Sequence, residues 1–235
     1  MSGNGLLAGK KGVVFGALND SSIAWKIAEA IHREGGQFIL SNAPVAKRLG
    51  GLDELANKTG AEIIWADATS AEDLNALFER ANELYGGVDF IVHSIGMGMN
   101  VRKNRPYEDL NYEWYKKTLD ISAMSLHRAV HSAEETGALK DGASIIALSY
   151  IGAQRTFSKH SEMGDAKALL ESIVRSYGYR LGKRGIPSTL FLRAQPSRQQ
   201  DPGFPVSMAC SSSQIELLLW VMPIRNHAQT TRLLC

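Results

Sequence analysis

Cysteine is nearly absent from this 235-residue chain, which holds only Cys210 and Cys235. Two thiols make no disulfide framework and no zinc-ligand spacing, and the expected setting is reducing and cytoplasmic. No apolar run approaches the ~18 residues that a membrane span needs. Met1 to Gly12 lacks the apolar core of a signal peptide. An excess of one charge is missing too. Lys and Arg total 26 against 24 Asp and Glu, a net +2 that leaves no basic footprint for nucleic acid. What remains is 44% hydrophobic and 21% charged, which excludes a disordered chain. The length fits one domain, or two small ones.

The composition shifts near residue 186. The last 49 residues hold both cysteines and five of the seven prolines, with four Arg, no Lys and two acids, Asp201 and Glu216. Ahead of that point, apolar runs alternate with helical spacing. Lys11 to Gly16, Gln37 to Ser41, Glu62 to Ala66, Asp89 to His93 and Ala143 to Leu148 read as strands. Ser22 to Ile31, Ala46 to Thr59, Ala71 to Tyr85, Glu113 to Thr136 and Met163 to Leu181 read as helices, several stopped by glycine. Alternating strands and helices imply βαβ units, because parallel neighbours need a crossover. The expected fold is therefore α/β, a doubly wound parallel sheet of Rossmann type over residues 1–186.

Three places carry chemistry. The first is the turn Gly16-Ala17-Leu18-Asn19-Asp20-Ser21-Ser22-Ile23, where a strand, a glycine and a helix N-terminus make an anion site. It lacks the three-glycine dinucleotide fingerprint, and a Ser cap on a helix is its plainer reading. The second strand ends Ser41-Asn42-Ala43-Pro44, with no acid for a ribose 2′-OH. Lys47 and Arg48 follow, most simply as a solvated face. The second place is the strand ends Asp67-Ala68 and Ser94-Ile95-Gly96, where open parallel sheets bind ligands. Asp67 can accept from an adenine amino group or cap the helix near Ser70. The third is Ser149-Tyr150 with Lys167 on the next helix. A lysine there can bind ribose hydroxyls and lower a nearby phenol's pKa. Two turns before Lys167, where a tyrosine proton donor is expected, stands His160.

Gly16-x5-Ser22-Ile23-Ala24, His93-Ser94-Ile95-Gly96, Leu148 to Arg155 and Met163-Gly164-Asp165-Ala166-Lys167-Ala168 together resemble the NADH-dependent enoyl-acyl-carrier-protein reductases. These are a divergent branch of the short-chain dehydrogenase/reductase family. The resemblance covers about residues 6 to 186. It implies that Gly16, Ser22 and Ile23 hold the NADH pyrophosphate, that Asp67 and Ala68 hold adenine, and that Ile95 lies along the cofactor. Gly98 would neighbour the substrate, Tyr150 is the first active-site tyrosine, and Lys167 binds the nicotinamide ribose. The implied reaction is hydride transfer from NADH to the β-carbon of a trans-2-enoyl thioester on its acyl carrier protein, in fatty-acid biosynthesis. A homotetramer is implied as well, and nothing in the residues suggests a metal.

Two departures stand out. His160 occupies the catalytic tyrosine's place, with a shorter side chain that titrates near 6.5 rather than 10. Weaker turnover with NADH binding kept is the expectation. The second departure follows Ile186, where the family continues with a Val-Asn strand and lid helices. Read one base earlier, codons permitted for Pro187 to Phe204 spell such a strand and lid. A one-base frame change near Ile186 is therefore expected, leaving 187–235 as an aberrant, poorly ordered tail and the sheet without its last strands and lid. Two other readings remain: a relative acting on a ketone or alcohol, and an inactive remnant that binds NADH weakly or not at all.

Overall fold

The computed structural model describes residues 4–156, 161–193 and 233–234. Among these residues, seven parallel strands form one sheet in the order β3-β2-β1-β4-β5-β6-β7. They are β1 (Lys11–Phe15), β2 (Gln37–Asn42), β3 (Glu62–Trp65), β4 (Val88–His93), β5 (Leu139–Tyr150), β6 (Ser188–Arg193) and the two-residue β7 (Leu233–Leu234). Every pairing is parallel. The helices between them are α1 (Ile23–Arg33), α2 (Leu52–Thr59), α3 (Ala71–Tyr85), the short α4 (Met99–Arg102), α5 (Tyr112–Leu119), α6 (Ser125–Glu135) and α7 (Ser161–Leu181).

Period-two alternation in the strands sorts the core into two layers. Val13, Phe15, Ile39, Ile91, Ile145 and Ala147 face one side, where Leu74, Leu77 and Phe78 of α3, Leu126 and Val130 of α6, and Leu170 and Val174 of α7 cover them. Val14, Phe38, Leu40, Phe90, Val92 and Ile146 face the other, under Trp25, Ile27 and Ile31 of α1 and Leu52 and Leu55 of α2. Both faces of the sheet are thus buried, as parallel strands require.

Three differences from the sequence expectation have local causes. The helix expected over 46–59 is split: Gly50 and Gly51 take φ of +66° and +95°, ending a 3-10 turn over Pro44–Leu49 before α2 begins. The long helix expected over 113–136 is interrupted by a π turn at Asp120–Met124, between α5 and α6. The third concerns the boundary at residue 186. The sheet continues past it, because Ser188–Arg193 pairs with β5 from Ile145↔Ser188 to Tyr150↔Arg193. Pro187 starts that pairing by accepting from the Ile145 amide at 3.0 Å, and Leu190 and Phe191 bury one side chain on each face. The expected loss of the last strands is corrected to this extent: an apolar run of this length suffices to extend the ladder. The lid region and residues 194–232 lie outside the described residues.

Candidate active site

The strand order reverses between β1 and β4, and at such a point the loops leaving neighbouring strands diverge to open a crevice at the C-terminal edge. Gly16 leaves β1 there with φ +88°, and a Cβ on it would stand 2.1 Å from the Ser94 carbonyl oxygen. Only glycine permits both the left-handed backbone and that approach. The Ser22 hydroxyl does not cap α1. It donates to the Asn19 carbonyl at 2.7 Å and accepts from the Leu18 amide at 3.2 Å, so it braces the turn itself. Ile23, buried, opens the helix behind it. Asn42, at the end of β2, donates to the Ala17 carbonyl at 2.8 Å and fastens the turn from the other side. Lys47 and Arg48 are exposed on the 3-10 turn.

Asp67 is exposed beyond the end of β3, and Ala68 is buried beside it. The Asp67 carboxylate accepts from the amide and hydroxyl of Thr69 at 2.8 and 2.7 Å. The cap of α3 is Ser70, whose hydroxyl accepts from the Asp73 amide. Asp67 therefore shapes its own turn rather than capping the helix.

After β4 comes the loop Ser94 to Gly98. The π turn holds it: the Ser122 hydroxyl accepts from the Met97 amide at 2.9 Å and donates to the Met97 carbonyl at 3.0 Å. One turn on, the Ser125 hydroxyl donates to the Ile121 carbonyl at 2.6 Å. Its single proton is then committed, so the buried His93 ring donates from Nε2 to Ser125 Oγ at 2.8 Å. Burial, and then the Lys167 charge, pull the His93 pKa down to about 3. The imidazole is neutral and structural, as a strand-end packing residue should be. Between pH 6.5 and 3 the unfolded chain binds a proton there that the folded chain does not, so stability is lost as the pH falls through this window. Thermal melts at pH 7 and pH 5 should show it: His93→Gln has a shallower fall in Tm between the two than the parent.

Lys167, on α7, is buried and donates from Nζ to the Ile95 carbonyl at 2.9 Å, with its tip under Gly96. Burial lowers its pKa to about 8. An ammonium carries three donors and Ile95 takes one, leaving donors for hydroxyls in the crevice. Tyr150 ends β5, and its ring lies against Gly152, where a Cβ would come within 2.2 Å of Cζ. Burial, then the charges of Asp165 and Glu162, push its pKa up to about 12, so the phenol stays protonated at neutral pH. Ser149 donates to Glu171 at 2.8 Å, which ties the strand end to α7. Gly164 lets α7 approach closely, since its Cβ would sit 2.8 Å from the Gly152 carbonyl. His160 lies outside the described residues.

The sequence reading missed two acids on α7. Glu162, fully buried, accepts from the Asn100 amide at 2.9 Å. Asp165 accepts from the hydroxyls of Tyr107 and Tyr115 at 3.0 and 2.9 Å. The only available signal was their spacing of three on a helix whose other face is apolar.

The sheet is of Rossmann type, with a glycine turn at its switch point and a buried lysine behind the next strand's loop. The enoyl-(acyl carrier protein) reductase family matches residues 16–188. The chain is 34% identical over 186 residues to enoyl-[acyl-carrier-protein] reductase [NADH] 1 of Rhizobium meliloti, covering 78% of this chain and 66% of that protein. Among solved structures, the FabI–NADH complex of Alistipes finegoldii superposes with a TM-score of 0.77 at 50% identity, over 79% of this chain and 66% of that one. Another FabI structure from A. finegoldii gives 0.86 at 43% identity, over 93% and 85%. This chain belongs to the enoyl-acyl-carrier-protein reductase family. It spans about two thirds of the length of the curated relatives it matches.

No described helix is long and apolar enough to cross a membrane. None of these comparisons supports the inactive-remnant reading.

Proposed function

We propose that this chain reduces the trans-2 double bond of an enoyl thioester held on an acyl carrier protein, with NADH as reductant, in cytoplasmic fatty-acid biosynthesis. The observation that carries the reading is the gathering of the Gly16 turn, the Ser94–Gly98 loop and Tyr150 at adjoining strand ends, with Lys167 bonded to the loop they share. The residues fit a dinucleotide: an anion-ready turn ahead of α1, apolar Ala68 and Ile95 just beyond the ends of β3 and β4, and a buried multiple donor.

When bound, NADH supplies the hydride that reaches the β-carbon. The chain's own groups do the rest. The N-terminus of α1, with the Gly16 turn and Ser22 and Ile23, would hold the pyrophosphate. Asp67 and Ala68 would hold the adenine. Lys167 would bind the nicotinamide ribose hydroxyls. Tyr150, kept protonated by its surroundings, would donate toward the thioester oxygen as negative charge develops on it. Gly98, buried at the far end of the loop, would border the acyl chain. His160 would stand in for the second hydroxyl donor, and the homotetramer of the family is the assembly proposed.

The test is oxidation of NADH by crotonyl-carrier-protein thioester, followed at 340 nm. Thioester-dependent NADH loss is expected; turnover of a ketone panel in its place would overturn the reading. The frame change near Ile186 belongs to the same proposal. Resequencing the DNA for residues 185 to 200 tests it, and an uninterrupted frame there overturns it.

A further inference from the structure

We propose that Glu162 is a positioning residue for the enoyl substrate, holding the Gly98–Asn100 turn against the helix that carries Lys167. The inference rests on the reductase reading above.

A fully buried carboxylate is costly unless it is well bonded, so its place calls for a reason. Glu162 Oε1 accepts from the Asn100 amide at 2.9 Å, and from the Thr118 hydroxyl at 3.3 Å, a proton that Thr118 shares with the Trp114 carbonyl. Asn100, also fully buried, continues the chain. Its Oδ1 accepts from the Asn111 amide at 2.9 Å and its Nδ2 donates to the Asn111 carbonyl at 3.2 Å. Asn111 then caps α5 by accepting from the Trp114 amide at 3.0 Å. Thr118 lies on the last turn of α5 and leads back to Glu162. The bonds form a closed ring through α7, α4 and α5.

Gly98 lies against that ring at Glu162. A Cβ there would be 3.2 Å from both Glu162 Oε1 and Met163 Cε, so the turn is pressed directly onto the start of α7. Three residues further along α7, Asp165 takes the Tyr107 and Tyr115 hydroxyls and fastens the outer part of the same segment. The wall of the crevice beyond β4 is therefore held by two acids of the helix that also presents Lys167. Movement of that wall relative to Lys167 would alter where an acyl chain sits, without touching the Gly16 turn on the cofactor side.

Three variants of the full chain separate this role from a merely structural one. Glu162→Gln keeps an acceptor oxygen and should stay within about threefold of the parent in KM for crotonyl-carrier-protein thioester. Glu162→Ala leaves the Asn100 amide buried and unbonded, and should raise that KM about tenfold, with kcat less affected. Thr118→Val should raise it by about two- to threefold. The Kd for NADH, read by fluorescence, should be unchanged in all three. An unchanged KM in Glu162→Ala, an equal loss of NADH affinity, or Glu162→Gln as impaired as Glu162→Ala would each overturn the role. If Glu162→Ala is unfolded at the assay temperature, Thr118→Val decides, and a parental KM in it overturns the role. A parent that turns over no enoyl thioester overturns the reductase reading, and this role with it.

Discussion

Lys167→Met should lower kcat/KM for an enoyl thioester by roughly 100-fold or more, the scale of losing one well-placed donor in a water-poor site. It should also leave the protein as stable as before, or more so. The amine is buried against the Ile95 carbonyl, and burial lowers its pKa to about 8 from an ordinary 10.5, so the native state disfavours its charge. Methionine fills a similar volume without that charge. Stability and function therefore move in opposite directions, which an unfolding artefact cannot mimic. The pH dependence has two signs as well. Between pH 8 and 10.5 the unfolded chain binds a proton at Lys167 that the folded chain has released, so folding gains as the pH rises there. Cofactor affinity goes the other way: phosphates and ribose hydroxyls are better served by the ammonium, and affinity should weaken above about pH 8. NADH titrations from pH 6.5 to 9.5 should show this slope in the parent and not in Lys167→Met. A flat parental profile would remove Lys167 from the cofactor site.

The fold was legible because its strands are short, apolar and bounded by turn residues. Lys11 to Phe15 and Ala71 to Tyr85 are found almost residue for residue where periodicity puts them. Periodicity failed where another force sets the backbone. Apolar spacing runs on through Gly50 and Gly51 as though the helix were whole, yet both glycines adopt φ values that a helix does not contain. Spacing likewise does not register the π turn at Asp120–Met124. One extra residue in a turn shifts the face by about 100°, and the side chains that exploit it, Ser122 and Ser125, read as ordinary helix-interior serines. The start of β5 at Leu139 escaped notice because Lys140, Asp141 and Gly142 look like a turn.

The candidate site was legible in its backbone features and its lysine. Gly16 is visible because a glycine at the end of the first strand has a geometric reason to be there, and the contact with Ser94 supplies it. Lys167 is visible because a lysine two turns into a helix beside a Ser-Tyr strand end has few purely structural uses. Ser22 and Asp67 were placed correctly at the turns, but their hydrogen bonds differ from the capping roles that residue type alone suggests. Glu162 and Asp165 were not legible. Their partners, Asn100, Thr118, Tyr107 and Tyr115, are 44 to 62 residues away, and no local pattern announces such pairs.

His160→Tyr should raise kcat by about 10- to 100-fold while leaving the Kd for NADH within about twofold, the range that a matched proton donor contributes. Position 160 directly precedes α7, and Lys167 on that helix is already bonded to the Ile95 loop. A phenol there would remain protonated far above neutral pH, as Tyr150 does with its pKa pushed up to about 12. An imidazole offers an N–H in place of the phenol O–H. It is also shorter than a phenol. The proposed NADH contacts, the Gly16 turn, Asp67, Ala68 and Lys167, do not include position 160, which is why the affinity should be indifferent to the exchange. Stopped-flow turnover of the parent, His160→Tyr and His160→Ala decides the matter. A tyrosine variant no faster than the parent would place the proton donor elsewhere. An alanine variant no slower would mean that His160 takes no part, with Tyr150 then carrying the thioester oxygen alone.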